Sequence, residues 1–155
     1  MTDSSSLQEC LDATYRYLSY RPRSEAELRR LLRRRGFDSE LIAETVARLR
    51  EQNLSDDLSF ARFWKESRLG SRPRSRRLIA KELRDKDVAE DIIREVTRDI
   101  DDESHAYQLG ASRMRVLAGL DYRRFKRRLS SYLAYRGFSR EVVVGTVSRL
   151  WQERE

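Results

Sequence analysis

Arginine is the residue in this chain with the most chemistry to offer, and it is unevenly spread. Residues 21–35 hold seven Arg against two Glu, residues 68–86 eight Lys or Arg against two acids, and residues 113–136 eight against one. These windows carry net charges of +5, +6 and +7 in a chain whose total is +7, so the remainder is net −11. A guanidinium presents a planar fork of donors that matches phosphate or carboxylate oxygens two at a time. The chemistry on offer is therefore anion recognition. Its candidate residues are Arg23, Arg29, Arg30, Arg33 and Arg34, then Arg72, Arg74, Arg76, Arg77 and Lys81, then Arg123, Arg124, Arg127 and Arg128. A lone charge run is usually a solvated helix face. Recurrence three times at one place in a repeat favours a surface that follows a phosphate backbone and loses affinity with salt. No base-reading device accompanies it.

The residue types that catalysis needs are scarce or poorly placed. Cys10 is the only cysteine and lies on an apolar helical stripe, so it reads as a buried hydrophobe and points to a reducing compartment. His105 is the only histidine and follows an acidic run, as a surface residue would. Asp56-Asp57 and Asp101-Asp102-Glu103 stand where helices begin, and there carboxylates cap the helix and oppose its dipole. Cys/His metal spacing and a phosphate-cradling glycine loop are both missing. No catalytic residue, metal or cofactor is expected. Met1 to Gln8 lack the features of a secretory signal, and no apolar run nears about 18 residues, so a cytoplasmic protein without membrane contact is expected. Tyr15, Phe60, Phe125 and Tyr132 lie on apolar stripes and read as core. Trp64, Tyr122, Tyr135 and Trp151 read as partly exposed, where a ring can stack on an unpaired base.

A repeat positions these residues. Arg21-Pro22-Arg23-Ser24 returns as Arg72-Pro73-Arg74-Ser75, 51 positions on, and the two copies hold both prolines. Proline ends one helix, and the serine opens the next, basic one. A first helix starts at Ser6, with Glu9 at capping-box spacing and Leu7, Cys10, Leu11, Tyr15 and Leu18 on one face. The second starts at Ser24, with Glu27 completing a box and Leu28, Leu31 and Leu32 inward. Gly36 then sits at the left-handed stop, with Phe37 folding back on Leu32. The third carries Leu41, Ile42, Thr45, Val46 and Leu49 and is acidic outside. Shifted by 51, the pattern gives Ile79, Leu83, Asp87, Val88, Ile92, Ile93 and Ile100; a further shift of 50 gives Leu129, Leu133, Gly137-Phe138, Val142-Val143, Val147 and Leu150. The expectation is an all-α chain of nine helices in three tandem three-helix repeats, elongated, with curvature allowed: a polar, disordered tail over 1–5, then repeats over 6–53, 54–100 and 101–155. The apolar fraction of 39% beside 38% charged residues suits that shape. The first helix of the third repeat runs from Ser104 to Ala118 in this reading, with Ala106, Leu109, Gly110, Met114 and Leu117 inward. A helix-turn-helix mode is disfavoured, because it would press an acidic helix on DNA in the first two repeats.

The chain resembles the RecX family, bacterial regulators of the RecA recombinase, over roughly residues 10–152. The resemblance rests on Pro22-Arg23-Ser24-Glu25-Ala26-Glu27-Leu28, Leu32 through Gly36-Phe37, Leu54-Ser55-Asp56-Asp57 with Phe60-Ala61 and Arg68, then Leu83 and Arg136-Gly137-Phe138-Ser139. Asp87, where the family often has glycine, and Trp64 depart from it. The resemblance implies three tandem three-helix repeats in a non-enzymatic monomer. It implies binding to the RecA filament on single-stranded DNA and damping of filament growth, ATP hydrolysis and strand exchange. Its setting is DNA repair, homologous recombination and the SOS response. Two other readings stay open: an autonomous, sequence-independent DNA-binding protein, and an adaptor whose basic surface meets an acidic protein.

Overall fold

The computed structural model describes residues 4–52 and 56–154. Among them the chain is all helix and loop: α1 Ser4–Tyr20, α2 Glu25–Arg34, α3 Ser39–Glu51, α4 Asp57–Ser71, α5 Arg76–Asp85, α6 Glu90–Thr97, α7 Asp102–Ser112, α8 Met114–Leu117, α9 Tyr122–Tyr135 and α10 Arg140–Glu153. Three three-helix repeats follow one another, with α7 and α8 together filling the first place of the third. Two compact units are made from them. One takes the chain up to Trp64 together with Leu83–Val96, and the other takes Lys65–Glu82 together with Thr97 onward.

The basic helices start and stop as their sequence dictates. Ser24 accepts the Glu27 amide at 3.1 Å, and Ser75 accepts that of Leu78 at 3.0 Å. Asp121 does the same for Arg124 at 2.9 Å. All three helices end in a Schellman motif. The amides of Phe37, Val88 and Phe138 bond the carbonyls of Leu32, Leu83 and Leu133, and the left-handed positions are Gly36, Asp87 and Gly137. The third helices bury the predicted stripe Leu41, Ile42, Thr45, Val46 and Leu49 in α3, and Val143, Val147 and Leu150 of the one predicted in α10, where Thr146 is buried and Val142 only half-buried. In the first unit Cys10, Ala13, Leu32, Leu41, Ile42 and Val46 share a core. In the second, Leu109, Phe125, Leu129, Leu133, Val147 and Leu150 do.

Several expectations are corrected. The first helix begins at Ser4, not Ser6, because three consecutive serines contain no breaker; residues 1–3 of the expected tail lie outside the described residues. Glu27 does not close a capping box. Its carboxylate is taken by Arg21 at 2.5 Å and Arg23 at 3.7 Å, since charged donors outcompete a neutral amide. Tyr15 is 36% exposed and donates its hydroxyl to Gln52 Oε1 at 3.1 Å. Ala13 and Thr14 are the buried residues there, and Thr14 bonds the Cys10 carbonyl. The described helices number ten rather than nine, because the helix from Asp102 stops at Ser112. Ser112 Oγ bonds back to the Leu109 carbonyl at 2.6 Å, and the Arg113 amide reaches only to Gly110 at 3.0 Å, so the ladder tightens and breaks. His105 is half-buried rather than on the surface, beside buried Ala106.

Two left-handed glycines differ in their surroundings. A Cβ at Gly36 would meet open space, whereas one at Gly137 would lie 2.5 Å from Ser75 Oγ and 2.8 Å from Leu78 Cβ. Gly36→Val is expected to lose about 1 kcal/mol through backbone strain alone. Gly137→Val adds an overpacking penalty and should lose about 2–3 kcal/mol in total. Urea denaturation of both variants checks this, and equal losses would contradict the close approach at Gly137.

Candidate nucleic-acid interface

The basic helices are oriented by their buried leucines. Leu28 and Leu32 in α2, Ile79 and Leu83 in α5, and Phe125, Leu129 and Leu133 in α9 are fully covered, which turns the intervening cations outward. Their surroundings then sort the candidates into engaged and available groups. Arg23 is turned inward: besides pairing with Glu27, it donates to the Tyr17 carbonyl at 3.3 Å. Arg74 is held by Glu82, which Arg68 also approaches at 3.4 Å. Arg29 lies 3.5 Å from Glu25, and Arg50 binds the same carboxylate with both arms of its fork, at 2.5 and 2.9 Å. Lys81 is exposed and is engaged with a partner.

The remaining candidates are exposed. Arg30, Arg33 and Arg34 of α2, Arg72, and Arg76 and Arg77 of α5 have no carboxylate at ion-pair distance among the described residues. The same holds for Arg123, Arg127 and Arg128 of α9, while Arg124 lies 3.9 Å from Asp121. In the first unit a groove of about 620 Å³ is lined by Arg29, Arg30, Arg33 and Arg50 together with Glu25, Asp57, Asp85 and Asp87. It therefore offers both signs of charge, whereas α9 contains no acid at all.

Two aspartates have a different part from the one expected. Asp56 caps its own helix, accepting the Leu58 and Ser59 amides at 3.0 and 3.2 Å. Asp57 instead accepts the Glu25 amide at 3.0 Å, at the first turn of α2. The second doublet repeats this: Asp101 caps α7 through Ser104, and Asp102 accepts the Arg76 amide at 2.8 Å, at the first turn of α5. So each doublet caps its own helix and the basic helix of the preceding repeat. The sequence signal was the doublet itself, since one carboxylate is enough for one N-cap. Burial pushes the Asp57 carboxyl above its ordinary value, while the Ser59 hydroxyl holds Asp56 below it. Asp57 thus favours folding most when protonated and loses that contribution as pH rises through its raised value; Asp56 contributes above the ordinary carboxylate range and loses it on acidification. Two carboxyls pushed apart this way resemble an acid–base pair, but the hydrogen bonds assign both to helix ends.

Among the aromatics, Phe60 and Phe125 are fully buried. Tyr132 is half-buried, with Arg113 at 4.3 Å and Arg136 at 5.5 Å from its ring. Trp64 lies against Phe60 with Lys86 over its face, and Trp151 against Tyr122 and Phe125 with Arg154 over its face. Tyr135 is open. Among the described residues no group of three or more His, Cys, Asp or Glu is placed to hold a metal, and no helix is long and apolar enough to cross a membrane.

Family models match all three repeats. Residues 10–49 match "RecX, first three-helix domain", residues 56–96 the second such domain and residues 101–144 the third. A regulatory protein RecX of Prosthecochloris aestuarii is 34% identical over 150 residues, covering 97% of this chain and 98% of that protein. One from Mycobacterium avium is 36% identical over 145 residues, covering 90% and 84%. The crystal structure of RecX from Lactobacillus salivarius superposes with a TM-score of 0.82 at 18% identity, covering 97% and 99% of the two chains, which speaks for the fold.

Asp57→Ala and Asp102→Ala are each expected to lower stability by about 1 kcal/mol, the usual loss for a missing cap. Asp57→Asn keeps an acceptor and removes the half-buried charge, so it should lose less than half as much. Chemical denaturation at neutral pH checks all three, and an Asn variant as unstable as the Ala variant would assign the effect to charge instead.

Proposed function

The chain belongs to the RecX family, and on that premise we propose that it is a non-enzymatic regulator of the RecA recombinase. It binds, as a monomer, to the RecA filament on single-stranded DNA and lowers filament growth, ATP hydrolysis and strand exchange. The observation that carries this reading is the basic second helix in every repeat, with Arg30, Arg33, Arg34, Arg76, Arg77, Arg123, Arg127 and Arg128 left available on its exposed face. Repetition supports it too, since a helical filament presents its own features at intervals.

The two kinds of basic surface suit two kinds of partner. Beside α2, Asp85 and Asp87 share the groove with the arginines. A phosphate backbone would be repelled by those carboxylates, whereas a protein surface carrying both signs can satisfy them. This favours protein contact there. The freedom of α9 from acids favours the second reading, an autonomous DNA-binding protein that acts without RecA.

The test is RecA's single-strand-dependent ATP hydrolysis with and without stoichiometric protein. Inhibition is expected, weakening as salt rises. The variant Arg30→Glu/Arg33→Glu/Arg34→Glu should lose at least tenfold in potency while its stability stays within about 0.5 kcal/mol of wild type, as is usual for surface substitutions. A RecA ATPase indifferent to the wild-type protein at every salt concentration would exclude the reading. Tight DNA binding unaltered by RecA would then favour the autonomous alternative.

A further inference from the structure

The exposed side of α9 is built of two ridges. Arg123, Arg127, Ser131 and Tyr135 follow one another at four-residue steps, and Tyr122, Lys126 and Ser130 run beside them. Cations fill the first half, hydroxyls the middle, and a tyrosine stands at each end. Six of these residues, Tyr122 to Ser131, line a shallow depression of about 450 Å³. The orientation is rigid, because Phe125, Leu129 and Leu133 lock the opposite side into the core. Tyr122 is 46% exposed and is held by Trp151, ring centroids 5.0 Å apart in an edge-on arrangement. Tyr135 is 84% exposed, and its ring has no partner among the described residues. At that end the Ser75 amide donates to the Arg136 carbonyl at 3.0 Å, so the first cations of α5, Arg76 and Arg77, follow directly on this contact.

We propose that this face of α9 is a binding site for single-stranded DNA, with Arg123, Lys126 and Arg127 on phosphates and Tyr122 and Tyr135 as stacking platforms for unpaired bases. A carboxylate partner would use the guanidinium forks and leave the two tyrosines idle. A nucleotide strand uses both, because every base has a π-face and every link a phosphate. From Tyr122 to Tyr135 the helix rises about 20 Å at 1.5 Å per residue and the two positions lie about 140° apart around its axis, so a strand of several nucleotides would cross the face obliquely. Stacking selects single strands, since the bases of a duplex have no free faces. The proposal deepens the filament reading and rests on it for the identity of the strand as DNA. It separates the strand-binding helix from the two-signed groove beside α2.

The experiment is fluorescence anisotropy of a labelled thirty-residue oligothymidylate with full-length protein and no RecA, repeated across salt. Arg123→Glu/Arg127→Glu should bind at least tenfold more weakly, with a salt dependence shallower by roughly 1.4 log units per log unit, about 0.7 for each lost phosphate contact. Tyr135→Ala should lose about five- to tenfold with the salt dependence unchanged, the signature of stacking. Arg16→Glu/Arg48→Glu, a matched charge loss on the exposed sides of α1 and α3, should bind within threefold of wild type. If the Glu pair melts early, Arg123→Gln/Arg127→Gln replaces it. Wild-type affinity in folded α9 variants, a neutral Tyr135→Ala, an equal loss in the control pair, or equal binding of a duplex of the same length would each overturn the proposal. RecA's ATPase separates it from the filament reading. Strand binding lost in the α9 variants, with an ATPase that ignores the wild-type protein, removes the filament reading alone; inhibition with unaltered strand binding removes this one alone.

Discussion

Each of the first two basic helices begins on a carboxylate lent by the repeat that follows it. A helix packed with arginine is costly to begin, because its first turn already carries the positive end of the backbone dipole. Asp57 at the Glu25 amide and Asp102 at the Arg76 amide each supply an acceptor at that end. The serine caps alone would satisfy one donor apiece; the borrowed aspartates satisfy another and fix where the next helix starts. The arrangement ties register to charge. Each repeat is completed by its successor, and the exposed arginines are held at a defined angle because the helix end beneath them is pinned twice. The third basic helix is capped by Asp121 at the Arg124 amide and held by a longer run of buried side chains, Phe125, Leu129 and Leu133.

Much of this was readable in the chain. The stops at Gly36 and Gly137 were legible because a left-handed residue followed by an aromatic has few other uses, and Asp87 kept the geometry where glycine is absent. The apolar stripes of α3 and α10 were legible because a period of 3.6 is unambiguous over thirteen or fourteen residues. What escaped was settled by competition among nearby groups. Glu27 had the right spacing for a capping box and was claimed by two guanidiniums instead. Tyr15 had the right period for the core and was displaced by the smaller Ala13 and Thr14 beside it. Asp57 and Asp102 had the right place to cap their own helices and reached to others; the doublet signals a spare carboxylate but not which helix it meets.

The candidate arginines sort on the same principle. Sequence spacing placed all of them on basic helices or entry loops, but it does not say which have an acid within reach. Arg23 and Arg74 are consumed in shaping the loops, and Arg29 shares Glu25 with Arg50. Such pairs contribute little net stability at the surface, yet they fix side chains that would otherwise be free to meet a partner. The available cations are thus fewer than composition suggests and fall on distinct patches, one of mixed sign beside α2 and one of single sign on α9.

The division of the chain into two interleaved units bears on how it is made. The first unit needs Leu83–Val96, and the second claims Lys65–Glu82. As the chain leaves the ribosome from its N-terminus, residues 65–82 emerge before any of their partners beyond Thr97 exist. The first unit can close as soon as residue 96 is free, leaving a basic segment, with its apolar Ile79, unclaimed until the last repeat arrives. Synthesis and structure are therefore out of step in the middle of this protein. The segment's five arginines and two lysines, against two glutamates, keep its exposed interval soluble.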